Sequence, residues 1–119
     1  MRYACVVVFA ALGAASCDED GSRQTQADYE KCQYAAEQPF EAVGACTMLM
    51  TRLHQGLMDV TRATYYRGVA FQELDEFEHA KADFRWILAN RADHRYAKDA
   101  KERLAEMEEG EKLSADRAK

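Results

Sequence analysis

Apolar residues recur at intervals of three and four along most of the chain after about residue 25, which is the spacing of amphipathic helices. The pattern predicts five helices with short connections, near Ala27–Gln38, from Pro39, near Val60–Leu74, after Asp75, and near Arg95–Glu109. Helices joined by short connections pack as antiparallel neighbours, so the predicted fold class is all-α.

Four of the predicted helices carry an apolar stripe that would pack against neighbouring helices. The third helix is described below. The stripes contain Tyr29, Cys32 and Ala36 in the first helix, Val43, Cys46, Met50 and Leu53 in the second, Phe77, Ala80, Phe84, Ile87 and Leu88 in the fourth, and Ala97, Ala100, Leu104 and Met107 in the fifth. Polar residues mark the helix starts: Asp59 is a candidate N-cap, and Asp75 and Glu78 have the spacing of a capping box. After Gly110 the tail 111–119 is expected to fray.

Small residues stand among large ones in the third and fourth helices. Gly68 and Ala80 would let these two helices approach closely where they cross, because the axial separation depends on the side chains at the contact. Phe71, Phe77 and Phe84 would then fill the space around the crossing. The alternative is that the alanines are incidental and Gly68 costs about 1 kcal/mol without return.

This spacing resembles the tetratricopeptide repeat, a helix–turn–helix unit of about 34 residues. Thr61–His94 resembles one repeat, in which the family's small and aromatic positions are matched by Gly68, Phe71, Ala80 and Phe84, with flanking agreement at Ala63, Ala70, Phe77 and Leu88. Thr64, Arg67 and Ala92 depart from the usual Trp, Leu and Pro. The resemblance implies a short α-solenoid of about five helices.

The stretches "KCQYAAEQPFEAVGACTMLMTRLHQG" and "ATYYRGVAF" resemble exported, mostly proteobacterial repeat proteins that open with a degenerate repeat. The resemblance implies a degenerate repeat at 27–58, the best repeat at 61–94 and a capping helix at 95–109, within a domain spanning 27–110. It also implies a disulfide between Cys32 and Cys46 that clamps the first hairpin, and both cysteines fall on apolar helix faces. Two buried free thiols are the alternative.

The first residues, "MRYACVVVFAALGAASC", have the layout of a secretory signal peptide, with one positive charge before a short apolar run and small residues. We therefore expect a signal peptide at 1–16. "GAASC" also resembles the lipobox of bacterial lipoproteins, which implies that Cys17 is lipidated and that the chain faces the periplasm on a membrane. The family usually has Leu where this chain has Ala14, so ordinary cleavage after Ala15 or Ser16 remains open.

The number of cysteines bears on this choice. Cleavage removes Cys5 and leaves three cysteines in an oxidising compartment, and lipid on Cys17 would leave Cys32 and Cys46 as one pair. In enteric-type bacteria an Asp after the lipidated cysteine favours the inner membrane, and Asp18 fits that rule. Residues 17–26 would form a disordered tether.

Composition and motifs argue against catalysis and nucleic acid. The chain has 16 basic and 21 acidic residues, net charge −5, and no basic stripe, so nucleic acid is not an expected partner. His54, His79 and His94 are scattered, and no metal-binding or haem-attachment spacing or phosphate-binding loop occurs. We expect no enzyme activity, metal, cofactor or small-molecule substrate.

The family binds peptides or partner helices in a concave groove lined by the first helix of each pair. Carried over by position, the groove residues would be Arg62, Tyr65, Val69, Gln72, Glu73, Asp99 and Arg103. Tyr65 would be the aromatic anchor and Arg62 or Arg103 a carboxylate partner; the alternative is that Tyr65 packs against the second helix. Tyr66 replaces the Asn of repeats that clamp a C-terminal carboxylate. With fewer than three repeats the groove is shallow, and a larger assembly could complete it.

The sequence therefore predicts a small, non-enzymatic interaction module of the bacterial envelope with an unidentified protein partner. A soluble exported protein with a structural or stress role and no dedicated ligand is the alternative, as is an accessory subunit of an envelope complex.

Overall fold

A computed structural model describes residues 20–52 and 59–118, with side chains described at 26–51 and 59–118. All regular structure in these ranges is helical. The five helices are α1 Asp20–Gln33, α2 Pro39–Arg52, α3 Val60–Glu73, α4 Phe77–Asn90 and α5 Ala97–Arg117. The predicted signal peptide, Cys17 and Leu53 lie outside the described residues.

Each helix packs against the next one along the chain, and α1 also contacts α3. The predicted all-α class is confirmed: antiparallel helical hairpins stack as a short solenoid. This order follows from the short connections, since a helix that turns back after a few residues must bury its apolar stripe against its predecessor.

The bounds of α1 differ from the prediction at both ends. Residues 20–26, assigned to a disordered tether, are helical, and α1 ends at Gln33 instead of Gln38. Once the packed helical turn around Cys32 has formed, each further residue adds one backbone hydrogen bond, so a polar segment can extend the helix. Apolar periodicity does not detect such a polar segment. At the other end, Pro39 disfavours helical backbone at Gln38. As a result Ala35, not the predicted Ala36, is buried.

The predicted capping box at Asp75 and Glu78 is wrong, because Asp75 ends α3 instead of starting α4. Its φ of 58° lies in the left-handed region. The Asp75 amide donates to the Gln72 carbonyl (3.1 Å) and the Glu76 amide to the Phe71 carbonyl (2.9 Å), which together form a Schellman motif. The first turn of α4 has no side-chain cap.

The prediction that the tail frays after Gly110 is also wrong, since α5 continues to Arg117. The Lys81 ammonium, on α4, contacts Glu111 at 2.5 Å and Glu78 at 2.7 Å. Arg85 pairs with Glu108 at 3.0 Å. These ion pairs fasten the polar end of α5 to α4, and residues with high helix propensity fill that end.

The core contains most of the predicted stripes in two clusters. The larger one joins α3, α4 and α5 around Phe84, Ala80 and Ile87, and the smaller one joins α1, α2 and α3 around Cys32, Cys46 and Leu49. Tyr66 packs against both. Phe77, predicted to fill the α3–α4 crossing, is instead 40% exposed at the start of α4.

Candidate functional site

The odd-numbered helices share one face, on which aromatic rings and arginine side chains meet. We define the aromatic–arginine face as Tyr29 of α1, Arg62, Tyr65 and Tyr66 of α3, Tyr96 just before α5, and Arg103 of α5. These side chains are close together because the start of α3 contacts α1, while polar contacts along the length of α3 join it to α5.

Tyr65 is enclosed at the centre of this face, and only 5% of its surface is exposed. Its hydroxyl donates to Asp99 Oδ2 at 2.6 Å and accepts from Arg103 Nε at 3.2 Å. Its ring stacks on Tyr96 with 4.6 Å between centroids. Burial, and then the hydrogen bond to the Asp99 carboxylate, raise the pKa of Tyr65 to about 12. Tyr65 therefore stays a neutral donor that joins α3 to α5.

Arg62 lies between two aromatic rings. Its Cζ is 5.5 Å from the centre of the Tyr29 ring and 5.7 Å from that of Tyr66, which is cation–π geometry. Its Nε is buried and has no hydrogen-bond partner within the described part of the chain. Burial opposes the guanidinium charge, but Tyr66 and its neighbours outweigh it and raise the pKa of Arg62. A charged group with an unused donor is the kind of site that accepts an anionic oxygen.

Polar contacts at the start of α3 fix the position of Arg62. Asp59, the predicted N-cap, accepts from the Arg62 amide at 2.7 Å, and its second carboxylate oxygen lies 3.3 Å from His94 Nε2. Burial acts to raise the pKa of Asp59, but these hydrogen bonds outweigh it and the pKa is lowered. The His94 and Tyr96 rings stack with 5.5 Å between their centroids. The contact between Asp59 and His94 therefore also helps to position Tyr96.

Four of the predicted groove residues form one hydrogen-bonded network. Arg103 Nη1 donates to Gln72 Oε1 at 2.9 Å, which adds Gln72 to the contacts among Tyr65, Asp99 and Arg103. Val69 is buried in the core. Glu73 is exposed, without an ion pair among the described residues. The structure thus places Tyr65 and Arg103 as partners of each other, and leaves Arg62 with a donor to spare.

The predicted packing residues lie around the α3–α4 crossing. Gly68, Ala70, Ala80 and Phe84 are buried, Phe71 and Leu88 are partly buried, and Phe77 is exposed. The structure pairs Cys32 with Cys46 as a disulfide that joins α1 to α2.

Sequence reasoning missed several residues here. Tyr29 and Tyr96 complete the ring cluster: Tyr29 lies one turn before the end of α1, and Tyr96 directly precedes α5. Arg67, which departs from the family's Leu, forms a bidentate ion pair with Asp83, with Nη2–Oδ1 2.7 Å and Nε–Oδ2 2.9 Å. The sequence signal for this ion pair was Asp83, a carboxylate among the apolar residues of α4.

No group of three or more His, Cys, Asp or Glu side chains within 26–51 and 59–118 could hold a metal ion. In the same part of the chain, no helix is both long and apolar enough to cross a membrane. The aromatic–arginine face can stack, donate hydrogen bonds and attract anions, which are the functions of a binding surface.

No family model matches the chain, and comparison with curated proteins and with solved structures finds no similar protein.

Proposed function

We propose that this chain is a tetratricopeptide-type, non-enzymatic interaction module that binds a peptide or partner helix on its aromatic–arginine face. The observation that carries the proposal is Arg62, a guanidinium between two aromatic rings with one buried, unpartnered donor. Arg62 is partly exposed, so a carboxylate of the partner would pair with its guanidinium charge, and charge-assisted hydrogen bonds of this kind are about twice as strong as neutral ones.

Tyr65 has a different role in this proposal from the one expected of an anchor. Its ring and hydroxyl are engaged by Tyr96, Asp99 and Arg103, so it positions α3 against α5. The ligand would contact the partly exposed rings of Tyr29, Tyr66 and Tyr96 around Arg62. Tyrosine and arginine are both enriched among the hot-spot residues of protein interfaces.

Crosslinking to envelope proteins tests this proposal. We compare the wild type with Arg62→Gln and with Lys101→Gln, which removes an exposed cation of α5 that has no ion pair among the described residues. A discrete adduct that persists in Lys101→Gln and is lost in Arg62→Gln supports the proposal. Absence of any adduct, or equal adducts from all three, contradicts it.

We propose further that the protein is exported and anchored through lipid on Cys17, with the folded part facing the periplasm. The support is the signal-peptide layout and the "AASC" sequence, together with the Cys32–Cys46 pair, which leaves Cys17 as the odd cysteine of the mature chain. The intact mass of the mature protein from fractionated cells tests this. A diacylglyceryl-modified Cys17 in membranes supports it, and an unmodified mass in the soluble fraction favours a soluble exported protein.

A further inference from the structure

A second surface lies on the opposite side of α3, where the start of α2 meets the α3–α4 turn. Phe40, Val43, Gly44, Phe71, Leu74 and His79 line a cavity of about 430 Å³, which we call the Phe40 notch. The volume falls in the range of about 300–1,000 Å³ that is usual for ligand pockets. The residues of the aromatic–arginine face do not line it.

The notch is apolar and open. The Phe40 side chain is 79% exposed although it belongs to a regular helix. A Cβ built at Gly44 would meet no atom within 4 Å. The Phe71 and His79 rings stack at 5.0 Å and form one wall. Exposed aromatic side chains beside an open cavity are a typical sign of a docking site.

The rim of the notch is strongly acidic. Glu76 lines the cavity itself, and the two segments that supply the other lining residues, 34–44 and 71–79, contain five more exposed carboxylates and neither Lys nor Arg: Glu37, Glu41, Glu73, Asp75 and Glu78. Arg67 lies beside the notch, with its Cζ 5.9 Å from the centre of the Phe71 ring, but its charge is paired with Asp83. Glu78 pairs with Lys81, and Glu76 lies 3.4 Å from His79 Nδ1. The other four carboxylates have no ion pair among the described residues, so the rim carries net negative charge.

We infer that the Phe40 notch docks a cationic amphipathic segment of a partner protein, with one apolar side chain in the cavity and Lys or Arg side chains over the rim. Apolar contact supplies affinity, while the rim selects for positive charge and speeds association. This surface is distinct from the aromatic–arginine face, and the inference does not depend on the function proposed for that face.

Two other occupants fit the charge less well. An anionic membrane surface would be repelled by the same carboxylates. A second copy that placed its own notch against this one would bring like charges together at short range. Charge complementarity therefore selects a basic partner segment.

Nuclear magnetic resonance titration of the full chain tests the inference. The probes are a synthetic amphipathic helix of leucine and lysine and its counterpart in which glutamate replaces every lysine. We expect the lysine peptide to shift amide signals at the start of α2 and in the α3–α4 turn, with affinity that falls as salt is added. Equal binding of the two peptides, or shifts confined to other surfaces, would overturn the inference.

Variants separate this surface from the rest of the molecule. Phe40→Asn should weaken the lysine peptide about tenfold or more, equivalent to about 1.4 kcal/mol. Met48→Gln, at a side chain of α2 that is 42% exposed and does not line the notch, should leave it unchanged. Equal loss in Phe40→Asn and Met48→Gln would contradict the inference. So would Phe40-dependent binding to anionic lipid vesicles, or self-association of the free chain that Phe40→Asn abolishes.

Discussion

The Phe84 ring lies directly against the backbone of Gly68. A Cβ built at Gly68 would lie 2.7 Å from Phe84 Cε1 and 3.0 Å from Cζ. Phe84 is fully buried, and burying a side chain of this size contributes about 1.5–3 kcal/mol. The missing side chain at position 68 is therefore what lets α3 and α4 close over that ring.

Gly68→Ala should destabilise the protein by about 1–3 kcal/mol in chemical denaturation, because the added methyl group overpacks the crossing. This outweighs the gain of about 1 kcal/mol that Ala brings to a helix. Gly110→Ala is the matched control: it lies in α5 with nothing within 4 Å of its built Cβ, so it should stabilise. Similar gains from both substitutions would show that the crossing is not tight.

Removing the disulfide should lower the free energy of unfolding by about 3 kcal/mol, the chain-entropy value for a loop of about 15 residues. The cysteines are separated by 14 positions and both are fully buried, so Cys32→Ala with Cys46→Ala is the least disruptive change. Denaturation curves with and without reductant measure the effect. Reductant should shift the wild type and not the double variant; a wild type that does not respond contradicts the pairing.

Arg67→Leu alone should destabilise by about 3–5 kcal/mol, because it strands the Asp83 carboxylate, whose side chain is 8% exposed. Replacing both residues, as Arg67→Leu with Asp83→Leu, should recover most of this loss, since two apolar residues can substitute for a buried ion pair. Thermal unfolding of the two single variants and the double variant closes the cycle. If the stability losses of the two single variants simply add in the double variant, the Arg67 and Asp83 side chains are not coupled.

Asp75→Gly should stabilise by about 0.5–1 kcal/mol, because glycine adopts the left-handed conformation of this position without steric cost. Asp75→Ala tests the same point with the opposite sign, since Ala has a Cβ and no local hydrogen bond to favour that conformation. Melting temperatures of the two variants are compared with the wild type. A stabilising Asp75→Ala would contradict the backbone geometry.

Tyr65 should ionise well above the ordinary pKa of a tyrosine. Its pKa is raised from 10.0 to about 12 in the folded chain, so the folded state favours the neutral phenol. The stability that this provides is complete below pH 10.0 and is lost as pH rises through about 12. Phenolate absorbance should show a late step that Tyr65→Phe removes. If no such late step is present in the wild type, Tyr65 is not enclosed as described.

The elements with strong local signals could be predicted from the sequence. Helix α3 has small and aromatic residues at helical spacing and a polar N-cap at Asp59, and it begins where the pattern indicates. The errors at the helix ends have tertiary or backbone causes. Residues 20–26 and 111–117 carry no apolar stripe, so periodicity could not detect them, and α5 is held to α4 by the Lys81–Glu111 pair, which no local pattern contains.

The candidate site could be predicted only as a face. The resemblance to the tetratricopeptide repeat grouped Tyr65, Gln72, Asp99 and Arg103 as groove residues, but it could not show that they hydrogen-bond to one another. Which donor remains unused depends on the relative positions of three helices. The Arg62 Nε is left without a partner only because the rings of Tyr29 of α1 and Tyr66 of α3 enclose the guanidinium.

The central claim is that the partner binds on the aromatic–arginine face. The most direct measurement is site-specific photocrosslinking in cells that export the protein, with a photoreactive residue at Tyr66 or, for comparison, at Ala82, an exposed position of α4. The account predicts one discrete adduct from position 66 that disappears when Arg62→Gln is added, and none from position 82. No adduct from position 66, or the same adduct from both positions, would contradict it.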